Sequence, residues 1–575
     1  MAHKTLVGGT AYNITGGKSM VSGTVYDIKK GRTLVGGTGY DINFMEDAYA
    51  MLYSSGNFVF QRGDRVADGE TLVNSYTGFE DRSYSSSPWN SQRNNIVNVT
   101  FIDEISPTSL AHWFNNARNI KNIDYANLNF NKVANMYNMC RNCSNLTSSP
   151  VCGNNVINMS GAYYNCSRVT GSPVCGNNVI DMSSTYFHCY NLTGSPVCGD
   201  NVIQMGQAYR NCYNLNGSPV CGDKVTSMTY TYYDCRNLTG SPVCGNNVTN
   251  MSHTYYNCQS LTGSPVCGDN VTYMHQAYYY CSNLTGSPVC GNNVTHMYQT
   301  YVGCTNLTGS PACGDNVISM SNTYKQCSNL TGSPVCGKNV TDMSGTYYMC
   351  SNLTGSPACG DNVASMYYTY YYCTNLTGSP VCGNKVTSMN SSYCDCFNIT
   401  GHPICGNKVD NMNCTYYNCK NLASNAYFYS PEITIINGCF RNWPNTKYLN
   451  LYLPANSTSL TTALISNSKS MVSSTITWTN DTAANGRYYN TRYNIYIYPV
   501  ESVESARLKN EFDMTLNLSN ENENKYIDIN NDSVSIKTEW LYPATSLTVD
   551  SGYVYTMSIN TNDLENVIIE KMEVK

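Results

Sequence analysis

Cysteines recur every 23 residues from Cys143 to Cys419 without one insertion, and no other feature of this 575-residue sequence constrains its fold as strongly. A second register of twelve runs from Cys152 to Cys405. Together the two columns use 25 of the 29 cysteines, and only Cys140, Cys394, Cys414 and Cys439 stand outside them. A fixed period of this length means small units stacked on one another, each contacting its neighbours. The odd total excludes complete disulfide pairing within one chain.

Other residue types keep the same register. Thirteen methionines, Met136 to Met412, each follow a valine by three residues, and tyrosine comes four residues after Met in twelve of the thirteen, from Tyr163 to Tyr416. Val, Met, Tyr and Cys thus stand 3, 4 and 3 residues apart, the spacing of one helix face over two to three turns. The Gly-(Asp/Asn)-Asn element before each valine suits a turn and an N-cap. After the cysteine, a stretch such as Asn283 to Gly291 carries a proline and two glycines that stop a helix and force an extended path. Each unit is therefore expected to be a short helix plus a short extended segment. Met159, Tyr163, Cys166, Met182, Tyr186, Cys189, Met251, Tyr255 and Cys258 are expected as structural ladder residues, with cysteine acting as a small apolar side chain.

The pattern Val248-Thr249-Asn250-Met251 through Tyr255, Cys258 and Leu261 resembles the BspA-like leucine-rich repeats of bacterial surface proteins and phage tail proteins. The likeness extends to an atypical first coil with Leu110, Phe114, Ala117, Ile120 and Ile123, and to a degenerate last coil with Ile436, Phe440 and Trp443. It covers about 105–443 and implies a leucine-rich-repeat solenoid. Where the family has Leu-x-x-Leu-x-Leu, this chain has Leu-Thr-Gly-Ser-Pro-Val-Cys, a shorter strand.

Residues 1–43 hold a 14-residue repeat beginning at Lys4, Lys18 and Arg32, with apolar positions between Gly-rich turns. These read as short strands for docking or oligomerisation, and they resemble N-terminal repeats of structural proteins of phages infecting Firmicutes. Residues 44–104 read as a small β domain capping the solenoid, 105–443 as the solenoid itself and 444–480 as a linker or cap. Alternating runs at 493–498, 514–518, 526–529, 546–549 and 553–559 predict a C-terminal antiparallel β-sandwich-like domain over 481–575. The fold class is multidomain, with the solenoid flanked by small β elements.

Positive signs of chemistry are few. The lone CxxC at Cys140–Cys143 and the CxC at Cys394–Cys396 lack the four converging ligands of a zinc site, so no metal and no cofactor is expected. There is no HExxH and no nucleophile elbow. Residues 144–393 contain eight Asp and no Glu, five of those Asp in the turn before the expected helix, which favours capping over a glycosidase carboxylate pair. Only 12% of the chain is charged and the net charge is −5, so nothing recommends nucleic acid as a partner. No apolar run reaches the ~18 residues of a membrane span, and the N-terminal stretch has no apolar core of signal-peptide length. The expectation is assembly in a host cytoplasm, with thiols reduced.

Variation between units marks a candidate binding surface. One residue after the ladder tyrosine stand Tyr164, Phe187, Tyr233, Tyr256, Tyr279, Tyr348 and Tyr371, off the apolar stripe and expected as an exposed aromatic row suited to glycan or protein contacts. The resemblance implies a non-enzymatic virion protein, a tail or head fibre or receptor-binding component. Its expected partners are other phage virion proteins through residues 1–104 and a host surface glycan or protein, and it is expected to be a homo-oligomer such as a trimer. A bacterial cell-surface BspA-like adhesin is the alternative, and a capsule-degrading tail enzyme the second alternative.

Overall fold

The computed structural model describes residues 46–81, 85–444, 447–457, 496–507 and 510 with their side chains, and the backbone of strands within 3–43, 479–495 and 527–573. The chain forms two compact units, Met1–Leu261 and Thr262–Lys575.

The 23-residue period builds stacked coils in both units, but the helix expected in each coil is not there. In its place runs a ribbon of four-residue turns. In the second unit, Thr323 N–H donates to Met320 O (2.9 Å) and Cys327 N–H to Tyr324 O (3.0 Å), each closing one turn. The intervening amides of Met320, Asn322, Tyr324 and Gln326 donate instead to the next coil, at Asp342, Ser344, Thr346 and Tyr348, over 2.7–3.0 Å. The first unit repeats the scheme: Thr185 and Cys189 close turns on Met182 and Tyr186, while Met182, Ser184, Tyr186 and His188 donate to the following coil. Asn322 and Gln326 have φ of 54° and 64°, and Ser184 and His188 55° and 60°. An α-helix has φ near −63°, so a left-handed residue every fourth position forbids one. Each such residue costs about 1–2 kcal/mol. Four inter-coil hydrogen bonds per coil, at about 0.5–1.5 kcal/mol net each, and the buried stripe offset that cost.

That stripe is the apolar column set. Met159, Tyr163, Cys166, Met182, Tyr186, Cys189, Met251, Tyr255 and Cys258 are all fully buried, as are the corresponding residues of the second unit. The ladder tyrosines stack nearly parallel, for example Tyr209 on Tyr232 at 5.5 Å in the first unit and Tyr347 on Tyr370 at 5.4 Å in the second. Column-one thiols donate to the carbonyl of the tyrosine 26 residues earlier, as Cys350 to Tyr324 at 2.9 Å. A buried threonine before the tyrosine, which sequence reading passed over, donates to methionine carbonyls of two coils, as Thr346 to Met320 and Met343.

The extended segment is held by the tyrosines. Tyr347 Oη accepts from Val335 N–H (2.9 Å) and donates to Val335 O (2.8 Å), and Tyr186 does the same at Val174 (3.0 and 2.7 Å). Gly355 (φ 80°) closes the turn before it, where a Cβ would lie 2.2 Å from Ser333 Oγ of the previous coil.

At the start of the first unit, the 14-residue repeats form three antiparallel pairs: His3–Val7 with Thr10–Ile14, Lys18–Val21 with Thr24–Asp27, and Lys30–Val35 with Thr38–Asn43. A five-stranded sheet follows, in the order Asn122–Asp124, Asn98–Phe101, Asn57–Arg62, Ala48–Tyr53, Leu72–Thr77. Its last three members pair antiparallel. Asn57–Arg62, Asn98–Phe101 and Asn122–Asp124 run parallel, so the sheet continues into the first coil. Phe58, Phe60, Phe79, Trp89, Phe101, Trp113 and Phe114 fill the space beneath it, with Phe60 stacked on Phe101 at 4.5 Å.

The far end of the second unit differs from the sequence expectation. Ile404–Cys405, Asn425–Phe428, Leu449–Pro454 and Ile495–Val500 pair in parallel, and Arg487–Asn490 and Thr479–Asp481 add antiparallel strands at the edge. Residues 449–454, read as linker or cap, and 495–500, read as part of an antiparallel sandwich, therefore extend the coil stack. The alternation of Leu449, Leu451 and Leu453 buries one strand face on the last coil, and such alternation does not encode strand direction. Two antiparallel pairs, Ile527–Asn530 with Ser533–Ile536 and Tyr553–Ile559 with Val567–Glu573, follow. The runs at 514–518 and 546–549 lie outside the described residues.

Tyr347→Phe should cost about 1–3 kcal/mol, because it leaves the half-buried N–H and C=O of Val335 without their side-chain partner. Urea denaturation is expected to show a lowered midpoint with an unchanged far-UV spectrum. Tyr372→Phe, at an exposed ring, should stay within about 0.5 kcal/mol of the parent, and equal midpoints for both variants would remove the hydroxyl from the account of coil stability.

Candidate functional site

The 23-residue period sets each position one coil from its equivalent, which is ring-stacking distance. This decides the fate of the aromatic row. In the first unit the Arg141 guanidinium lies 4.2 Å over Tyr164, Tyr164 stacks on Phe187 at 4.5 Å, and Arg210 sits 5.4 Å from the Phe187 ring and 4.7 Å from Tyr233. Tyr233 stacks in turn on Tyr256 at 4.4 Å. In the second unit Lys325 Nζ lies 4.9 Å over Tyr348, and Tyr348 stacks on Tyr371 at 4.9 Å. Tyr279 meets Tyr280 edge-on at 4.7 Å.

The expected exposed row is thus corrected to a packed one. Phe187 is buried and the other six rings are half-buried. Stacked rings turn their faces to one another along the column and offer edges and hydroxyls outward. Among the described residues of the coils, the well-exposed aromatics lie in other columns, at Tyr137, Tyr273, Tyr280, Tyr298, Tyr367 and Tyr372, and Tyr448 is exposed beyond the last coil. Tyr280 and Tyr372 stand one residue before the column-one cysteine, where the sequence marks changing neighbours of the row; sequence reading missed Tyr137, Tyr273, Tyr298 and Tyr367 because their columns carry an aromatic in only some coils.

One place in the second unit breaks the close packing. Asn322, Lys325, Ser344, Gly345, Tyr348, Tyr367, Tyr368 and Tyr371 line an open notch of about 390 Å³. Three consecutive coils supply it through three columns. Gly345 (φ 61°) occupies a left-handed turn position held by Asn322 in the coil before and Tyr368 in the coil after, so its bare α-carbon forms the gap. Tyr368 is tilted 59° to both Tyr348 and Tyr371, at 6.0 and 5.3 Å, and meets Tyr367 edge-on at 4.4 Å. Desolvation raises the Tyr367 and Tyr371 hydroxyls above their ordinary value, which keeps them as neutral donors and acceptors. No carboxylate lines the notch.

The first unit holds the filled counterpart. There Arg210 takes the place of Lys325, Tyr233 and Tyr256 the place of the stacked pair, and Tyr230 the place of Gly345. Tyr230 stacks on His253 at 4.2 Å and lies 4.8 Å from the Arg210 guanidinium. The two places differ at this column position, and also where Ser252 and His253 stand for Tyr367 and Tyr368.

The cysteines offer little reactivity. Burial pushes the thiols up, to about 12 at Cys152, Cys221, Cys313, Cys359 and Cys405 and to about 11 at Cys198. A thiol held protonated is neither a nucleophile nor a ligand. Among the described residues no three His, Cys, Asp or Glu converge so as to hold a metal ion, and no helix is long and apolar enough to cross a membrane.

Residues 108–239 match a family described as "Mycoplasma protein of unknown function, DUF285". A leucine rich cell surface protein from Faecalibacterium prausnitzii A2-165, known from its crystal structure, is 11% identical, with 66% of this chain and 93% of that one covered and a TM-score of 0.25. No curated protein matches the chain.

The raised thiols couple stability to alkaline pH. Above about pH 8.5 unfolded thiols ionise while folded ones keep their protons, so the folded state binds more protons and unfolding free energy falls as pH rises. Each such thiol contributes a loss of up to ~1.4 kcal/mol per pH unit until its folded value is passed. The urea midpoint of the reduced protein is expected to be flat from about pH 6 to 8 and to fall steeply between about 9 and 11. A thiol-reactive disulfide reagent at neutral pH should modify few of the 29 cysteines before denaturation and all of them after it; full reaction of the folded chain would contradict the burial account.

Proposed function

We propose that the protein is a non-enzymatic binding protein whose stacked coils present a repeat surface to a glycan or protein on another cell. One observation carries this reading: a nearly uncharged scaffold satisfies its own backbone coil by coil, and its variable outward positions open into a notch of four tyrosines, one lysine and no carboxylate. Aromatic walls with a few convergent polar groups suit binding. Hydrolysis of a glycosidic bond would need paired carboxylates, which the notch lacks.

Attachment belongs to residues 1–104 in this reading. Three antiparallel pairs with few large side chains cannot bury a core of their own and suit docking on a larger body. That body is a bacteriophage particle, in keeping with the resemblance of the 14-residue repeats, and the chain serves there as a fibre or receptor-binding component that docks through other virion proteins and associates with copies of itself.

Purified protein is expected to adsorb to host cells and to compete with infection. Failure of both would remove the binding role. Gold-labelled antibody against residues 481–575 should decorate virions; decoration of the bacterial envelope instead would move the protein to a cell-surface adhesin. Release of sugars from host envelope material would overturn the non-enzymatic assignment.

A further inference from the structure

We propose that the notch at Gly345 is a subsite for one anionic sugar unit of a surface polymer, with Lys325 meeting the acidic group and the tyrosines meeting the ring. The proposal rests on the binding reading above and names the ligand chemistry of its site.

Size and lining agree with a monosaccharide unit. A volume of about 390 Å³ lies in the range of small-molecule sites, roughly 300–1,000 Å³. Among the described residues no ring stacks face to face on Tyr368, whose neighbours in its own column are Gly345 and Ser391, unlike the stacked pair beside it. It can therefore take the C–H face of a pyranose. The Asn322 amide, the Ser344 hydroxyl and the tyrosine hydroxyls supply donors and acceptors around the rim, as a polyhydroxylated ring requires.

Charge selects among sugars. Lys325 is the charged residue of the lining, and among the described residues it has no ion-pair partner; its ammonium rests over Tyr348. Asp342 is turned to the coil, where its Oδ1 accepts from Ser344 N–H at 2.9 Å. A carboxylate or phosphate on the ligand would give Lys325 a charge-assisted hydrogen bond that a neutral sugar cannot.

Gly345 is the feature a scaffold role does not need. Tyrosine is accepted at this column position with φ of 58° at Tyr230 and 55° at Tyr368. A Cβ on residue 345 would meet Asn322 Oδ1 at 2.5 Å, the far end of a flexible side chain that can turn aside. Filling the notch is thus compatible with the fold, as the first unit demonstrates, and in the second unit it stands open.

The test is calorimetric titration of the full chain with tetragalacturonate, with a glycerol-phosphate oligomer and with maltotetraose, using the parent, Gly345→Tyr and Lys325→Gln. The parent should bind at least one anionic probe about tenfold or more tightly than maltotetraose, and whichever probe binds identifies the acidic group. Gly345→Tyr should abolish binding with an unchanged urea midpoint. Lys325→Gln should weaken the anionic probe about tenfold and leave maltotetraose unaffected. Equal affinity for neutral and anionic probes, parent-like binding by Gly345→Tyr, or no binding of any probe by the parent would each overturn the proposal. Cell adsorption measured alongside separates the two readings: if it persists without saccharide binding, the subsite fails alone, and if it is absent the binding role fails with it.

Discussion

The two-way hydrogen bond of the buried ladder tyrosines is the interaction on which the coils depend. A proline precedes the extended residue in each unit and lacks an N–H, and across most of the repeat these segments form no strand ladder. A hydroxyl both donates and accepts, so one buried side chain satisfies both backbone groups of a half-buried residue. Phenylalanine would bury as much surface and leave both groups unpaired. The exceptions fit this account. At Ile404–Cys405 the segment begins to pair as a true strand, and there the Tyr416 hydroxyl donates to Ile404 O alone. One coil later Asn425–Phe428 is paired on both sides, and the ladder position is Phe440. Tyrosine persists where the strand is missing and is dispensed with where the strand appears.

The same division of labour accounts for the path of the other half of the coil. A helix would have consumed every amide within the coil, leaving van der Waals contact alone between neighbours. Turns with a left-handed residue at every fourth position send alternate amides across, so the coils are joined by hydrogen bonds as well as by stacked rings. The buried threonines and column-one thiols strengthen this by donating to carbonyls of the preceding coil. Low charge follows from the arrangement: in a stack where each side chain sits one coil from its equivalent, a charged column would repel itself.

The columns were legible because identical residues at an identical interval leave no other arrangement for Met, Tyr and Cys. The turn ribbon was not, because spacings of 3, 4 and 3 belong equally to a helix face and to a run of four-residue turns. A discriminating signal was present one residue before the cysteine, where Asn142, Asn165, His188, Asn211, Asp234 and Asn257 occupy left-handed positions; Asn, Asp and His are the non-glycine residues most tolerant of that conformation. Alternation marked 449–454 and 495–500 as strands without saying whether they would pair in parallel or antiparallel. For the aromatic row, sequence located the column and misjudged its exposure, since stacking between coils depends on a distance that the one-dimensional pattern does not contain.

Where every coil repeats the same backbone, a site cannot come from a special loop; it has to come from a departure within a column. A bulky residue added at one coil tends to be absorbed by the stack, as Tyr230 is against His253 and Arg210. A residue taken away cannot be absorbed, because the neighbouring coils are held at fixed spacing by their hydrogen bonds and do not close in. Gly345 is such a subtraction, placed where Lys325 and four tyrosines converge. The rigidity that comes from the buried tyrosine hydroxyls therefore also keeps the notch open.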